Sequence, residues 1–100
     1  MIEVAPVGVG NFIGIGVSMQ LPRTKVMTIS TDNGYIMCGL VDLARLDAMH
    51  PERRIAAARV SNVKIIEELL SGIVDAMTEE ARRRGVVEGM TGLEALEKLK

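Results

Sequence analysis

The chain has 100 residues, enough for one domain around a single core and too few for two. Hydrophobic residues make up 48% of it, yet Phe12 and Tyr35 are the whole aromatic complement, which argues against base-stacking surfaces and large aromatic-lined pockets. Twelve basic against thirteen acidic residues leave a net charge of −1, which excludes the footprint of a general nucleic-acid binder, and one cysteine excludes a disulfide framework or a zinc site needing two thiolates.

The opening Met1-Ile2-Glu3-Val4 carries no positive n-region, and no apolar run approaches the length of a membrane span. Neither a signal peptide nor a membrane segment is expected, and the expected location is cytoplasmic. Residues 2–7 read as a short strand that Pro6 confines to an edge or a strand end. Gly8-Val9-Gly10-Asn11 reads as a turn. From Phe12 to Leu21 the odd positions are Ile13, Ile15, Val17, Met19 and Leu21, while Gly14, Gly16, Ser18 and Gln20 fall between them. That period of 2 predicts a strand, stopped by Pro22. Asn33-Gly34 is the favoured pair for a two-residue type I′ turn, and closing a hairpin there pairs Thr31 with Ile36, Ile29 with Cys38 and Met27 with Leu40.

Asp42 is placed as the N-cap of a short helix carrying Leu43, Leu46 and Met49 and stopped by Pro51. The apolar run Ile55–Val60 predicts a strand covered on both faces. Ser61 is read as the cap of a helix with Val63, Ile66 and Leu70 on its apolar side, broken at Ser71-Gly72. A further helix is expected with Ile73, Val74, Met77 and Ala81 on one side, with Glu79 and Glu80 facing Arg83 and Arg84, and with Gly85 at C′. Thr91-Gly92-Leu93-Glu94 is a capping box that opens a final helix through Leu99. The order is β-β-β-β-α-β-α-α-α in one domain, residues 1–100. It describes an α+β (mixed α/β) fold in two layers: an N-terminal antiparallel β-hairpin sheet over 1–41, then a strand–helix–strand unit and covering helices. Residues 42–100 are expected to be mainly helical, with one strand near 55–60.

Gly8, Gly10 and Gly14 approach a dinucleotide fingerprint, but a strand follows them where that motif requires a helix N-terminus. No cofactor is expected. Gly14 and Gly16 share one strand face and leave a shallow strip, read either as a bend within one subunit or as a surface packed on another. Cys38 falls on the apolar hairpin face, where a thiol behaves as a small hydrophobe. His50 with Asp47 is too thin for a metal site, and none is expected. Arg82-Arg83-Arg84 reads as the solvated basic end of a helix.

One constellation follows from topology. If the strands ending near Leu40 and Val60 are parallel neighbours, their carboxyl ends lie together, where ligands of such units bind. That edge would gather Gly39, Asp42, Arg59, Ser61 and Asn62, with donors suited to a small anion and Asp42 as an acid–base group or merely a cap. Tyr35, at the entrance of the hairpin strand, joins them as a ligand-binding candidate, and Cys38 and Asp42 are the catalytic candidates.

Leu21-Pro22-Arg23-Thr24, Asp32-Asn33-Gly34-Tyr35-Ile36-Met37-Cys38-Gly39 and Gly89-Met90-Thr91-Gly92-Leu93-Glu94-Ala95-Leu96 resemble, in that order, the YunC family of small bacterial and archaeal proteins, a domain of unknown function. The resemblance implies a single α/β domain whose N-terminal β region mediates tetramerisation, and it brings no substrate, cofactor or catalytic residue. Two functions stay open. One is a homo-oligomeric protein that binds or acts on a small anionic metabolite at the carboxyl edge. The other is an interaction module whose role is its assembled surface. Neither a nucleic-acid nor a membrane partner is expected.

Overall fold

The computed structural model describes residues 2–10, 12–39 and 55–100. Within them one six-stranded sheet runs in sequence order, β1 (Ile2–Val9), β2 (Phe12–Leu21), β3 (Thr24–Ser30), β4 (Tyr35–Met37), β5 (Ala57–Val60) and β6 (Val74–Met77). Only β4 and β5 are parallel; every other pair is antiparallel. Among the described residues three short helices join the sheet in an α+β fold, α1 (Glu68–Ser71), α2 (Glu79–Arg83) and α3 (Gly92–Leu99). The expected helix capped by Asp42 lies outside the described residues.

Alternation decides which side of the sheet is buried. Val7, Val9, Met27, Ile29, Ile36, Ala58, Val60 and Val74 point to one face, where Leu69, Ala81, Val86, Ala95, Leu96 and Leu99 meet them in the main core. On the opposite face Tyr35, Met37, Ile55, Ala57 and Ala76 make a smaller cluster. Pro6 sits on β1, the edge strand, where its missing N–H interrupts no ladder. The first turn is shorter than expected: Gly8 and Val9 stay in the strand, Val9 pairs with Phe12, and Gly10 turns at φ 59°.

Gly14 and Gly16 fall on the core face. A Cβ on Gly16 would lie 2.7 Å from Ile66 Cδ1 and 2.6 Å from Val7 Cγ2. The strip at Gly16 is therefore filled by this chain's own Val7 and Ile66, and β2 keeps a continuous register through both glycines. The odd positions of β2 face the other way, and there Ile13 is 71% exposed and Ile2 and Val4 are 65% exposed.

The hairpin closes differently from its expected register. Ile29 pairs with Ile36 and Ser30 with Tyr35, leaving a four-residue connection, Thr31–Gly34. The Thr31 hydroxyl takes over the turn: it donates to the Gly34 carbonyl at 2.9 Å and accepts the Gly34 N–H at 3.2 Å. Positive φ is absent at both Asn33 and Gly34. Glycine is required at 34 for space, because a Cβ would lie 2.9 Å from the Ala56 carbonyl oxygen and 2.9 Å from Leu99 Cβ. The register moves by two residues, an even shift, so the expected faces survive.

Two expected helices are corrected. Residues 61–67 form turns and bends, and only Glu68–Ser71 is helical, because the Ser61 hydroxyl is engaged elsewhere and the Glu68 carboxylate ties down the Lys64 and Ile65 N–H groups at 2.5 and 3.2 Å. Val63, Ile66 and Leu70 still pack on the core. Ile73–Ala81 is a strand followed by a separate helix: β6 pairs with β5, and Thr78 caps α2 by accepting the Ala81 N–H. Residues 55–100 thus carry a second strand that the helical reading missed. Gly85 at φ 103° ends α2, with Val86 N–H donating to Ala81 O and Gly85 N–H to Arg82 O, a Schellman closure. Thr91 and Glu94 form the expected capping box of α3.

Candidate functional site at the carboxyl edge of the parallel strands

Because β4 and β5 run parallel, with Tyr35 beside Ala57 and Met37 beside Arg59, the residues that follow both strands emerge at one edge. Cys38 and Gly39 leave β4 there and Ser61 and Asn62 leave β5. They line a hollow of about 340 Å³ together with Thr24, Lys25 and Val63. Gly39 lets the two exits approach, since a Cβ there would lie 2.8 Å from the Ser61 Oγ. Asn62 adopts φ 62°, a conformation asparagine tolerates better than most residues, and its carboxamide makes no hydrogen bond among the described residues. Lys25 reaches the hollow from the start of β3, which the antiparallel hairpin sets beside the end of β4. Among the described residues no carboxylate lines the space.

Cys38 extends the β3–β4 ladder, donating its N–H to Met27 O at 3.0 Å, and its thiol lies 3.9 Å from the Lys25 carbonyl oxygen. The residue is only 4% exposed. Its sulfur packs at the wall of the hollow, as the apolar-face reading anticipated.

Arg59 is drawn away from this group. It alternates onto the other face of the sheet, where its Nε donates to Asp75 Oδ1 at 2.8 Å. A bulge produces the pairing: Arg59 opposes Ala76 and Val60 opposes Val74, so Asp75 is the extra residue and turns to the same side as Ala76. The Ser61 hydroxyl donates to the other oxygen, Asp75 Oδ2. Burial alone would raise the Asp75 carboxyl, but the hydrogen bonds from Arg59 and Ser61 and the guanidinium charge outweigh it and hold the group below the usual aspartate range. The triad braces the wall of the hollow through Ser61 and leaves the Lys25 ammonium as its cation.

Tyr35 is not part of the site. It opens β4, four residues before Gly39 and so about 13 Å away along the strand direction. It packs against the smaller cluster on the other face, and burial pushes its phenol up from the ordinary tyrosine value. Asp42 lies outside the described residues. The structure therefore brings together Cys38, Gly39, Ser61 and Asn62 of the expected set. Thr24, Lys25 and Asp75 were missed. Hairpin topology alone could have supplied the first two; Asp75 was hidden by reading Ile73–Ala81 as one helix, although Thr78-Glu79-Glu80 is itself an N-cap signature.

A larger hollow of about 410 Å³ lies between Phe12, Ile13, Ile15, Ser30–Asn33 and Lys100. There the Thr31 hydroxyl closes its own turn and the Lys100 ammonium lies 4.9 Å from the centre of the Phe12 ring. The smaller hollow has an ammonium and a carboxamide that are unengaged among the described residues. No helix among the described residues is long and apolar enough to cross a membrane.

A family model described as a domain of unknown function (DUF1805) matches residues 37–99. The chain is also 36% identical over 99 residues, 99% of its own length and 98% of the relative's, to the uncharacterized protein YunC of Bacillus subtilis strain 168. The chain belongs to the YunC family. Its fold matches, at a TM-score of 0.86 and 23% identity, the crystal structure of a protein of unknown function, TA1206 from Thermoplasma acidophilum, covering 100% of this chain and 94% of that one. The family-model match includes Cys38, Gly39, Ser61, Asn62 and Val63 of the hollow, whereas Thr24 and Lys25 precede it.

Proposed function

We propose that this YunC-family protein binds a small anionic metabolite in the hollow at the carboxyl ends of β4 and β5. The observation that carries the reading is the pairing of Lys25, without an ion pair among the described residues, with the unengaged carboxamide of Asn62, around a space that no described carboxylate lines and that is large enough for a small metabolite. Lys25 supplies the charge, Asn62 and the backbone at Gly39 supply directional bonds, and Ser61 is held in place from behind by Asp75. Thermal-shift screening against anionic metabolites tests it. Compounds that raise the melting temperature of the wild type should lose that effect in Lys25→Met, which keeps the aliphatic stem and removes the charge. A screen without an anionic hit, or hits indifferent to Lys25→Met, contradicts it.

A second reading concerns assembly and is compatible with the first. The exposed face of β1 and β2 presents Ile2 and Val4 beside Ile13, Ile15, Met19 and Leu21, at exposures from 36% to 71%. Such a contiguous apolar surface is unusual on a monomer. We infer that it is covered by further copies of the chain, in the tetramer that the family resemblance suggests. Light scattering of the wild type should give a tetramer mass, and Ile15→Glu should dissociate it. A monomeric wild type contradicts the assembly.

A further inference from the structure

We infer that the anion is a phosphomonoester, that its phosphoryl group sits beside the first hollow between the β2–β3 turn and the segment after β5, and that Arg23 determines this specificity. The inference rests on the binding reading above and names its ligand class.

A second hollow of about 400 Å³ adjoins the first and shares Thr24, Lys25 and Val63 with it. Its other lining residues are Gln20, Arg23 and Lys64. Three cations therefore converge from two segments far apart in sequence, and no carboxylate of the described residues lines the space. Glu68 feels the charge of Lys64, but its carboxylate is held by the Lys64 and Ile65 N–H groups. Among the described residues none of the three cations makes an ion pair. In a chain with a net charge of −1, this clustering is local and not a consequence of a basic surface.

The backbone at Arg23 carries the argument further. Leu21 pairs with Thr24, so Pro22-Arg23 is a two-residue turn. Proline fixes a negative φ at the first position, and Arg23 takes φ 62° at the second. That is the sign pattern of a type II turn, whose second position is the place of glycine or asparagine. An arginine there is conformationally unfavourable, and local folding preference does not account for it. Arg23 lines the hollow, and a charge requirement does account for it.

The ligand class follows from the donors. A phosphomonoester carries between one and two negative charges and three acceptor oxygens, matching a guanidinium fork flanked by two ammonium groups. A monocarboxylate would leave charge in the hollow uncompensated. The remainder of the ligand would reach into the first hollow, toward Ser61 and Asn62.

The test is amide NMR titration of the full chain with inorganic phosphate and with glycerol 3-phosphate, at constant ionic strength set by chloride, with glycerol as the blank. Both phosphates should give saturable shifts at Thr24, Lys25 and Lys64. Arg23→Gly should weaken both about tenfold, the loss of one charge-assisted contact, while leaving the melting temperature unchanged or higher. Lys64→Gln should weaken them similarly. Absence of saturable shifts, or affinities unchanged in Arg23→Gly, overturns the inference. Carboxylate ligands that bind through Lys25 and Asn62 while phosphates do not would remove the phosphoryl subsite alone and leave the binding reading standing.

Discussion

Replacing Thr78 by valine should cost about 2–4 kcal/mol of stability without changing side-chain shape. Thr78 is fully buried, and its hydroxyl oxygen accepts two N–H groups, from Ala57 at 3.1 Å and from Ala81 at 3.3 Å. Ala57 and Ala81 are themselves fully buried, so neither donor can turn to water. Valine removes the N-cap of α2, worth about 1 kcal/mol. It also orphans the Ala57 N–H at the start of β5, a buried donor whose loss costs about 1–3 kcal/mol. For a domain of this size the melting temperature should fall by roughly 10–25 °C. Thr78→Ser keeps both bonds and loses one methyl, a cost of about 1 kcal/mol. Urea denaturation at a single protein concentration measures both, with subunit association held constant. A valine variant within about 0.5 kcal/mol of wild type, or a serine variant as damaged as the valine one, would refute the hydroxyl as the joint between β5, β6 and α2.

Gly34→Ala should destabilise by about 1–3 kcal/mol through crowding against Ala56 and Leu99, whereas Asn33→Ala should stay within about 0.5 kcal/mol; a type I′ turn would penalise both, and calorimetry separates the cases. Asp75 has a lowered folded-state pKa, so its contribution is complete above the unfolded value of 3.8 and is lost as pH falls through the folded one. The stability difference between wild type and Asp75→Asn should be about 0.5 kcal/mol at neutral pH, discounted for its partly exposed ion pair, and should vanish in acid; a constant difference in urea melts at both pH values would refute the linkage. Cys38 should react with a thiol reagent slowly in the native protein and rapidly in urea, and equal rates would contradict its burial.

The strands of the first forty residues were legible because their two faces differ in polarity, and a period of 2 survives any small error at the turns. The α3 capping box was legible because Thr91 and Glu94 act within four residues of each other. The errors arose where a side chain chose a distant or unexpected partner. Thr31 captured the turn assigned to Asn33-Gly34. Ser61, a plausible cap by position, bonds instead to Asp75, which is fourteen residues away. Val74–Met77 is too short for periodicity to separate strand from helix, and only pairing with β5 decides it. At the candidate site, parallel pairing correctly predicted the meeting of Gly39, Ser61 and Asn62. Arg59 was misjudged because alternation sends it to the opposite face, and Tyr35 because a strand separates it from the edge.

The most direct test is a crystal structure grown with the anionic compound that most raises the melting temperature. Electron density for the compound should contact Lys25 and Asn62 between the exits of β4 and β5. Density in the Phe12–Asn33–Lys100 hollow instead, with the carboxyl edge empty, would contradict the assignment.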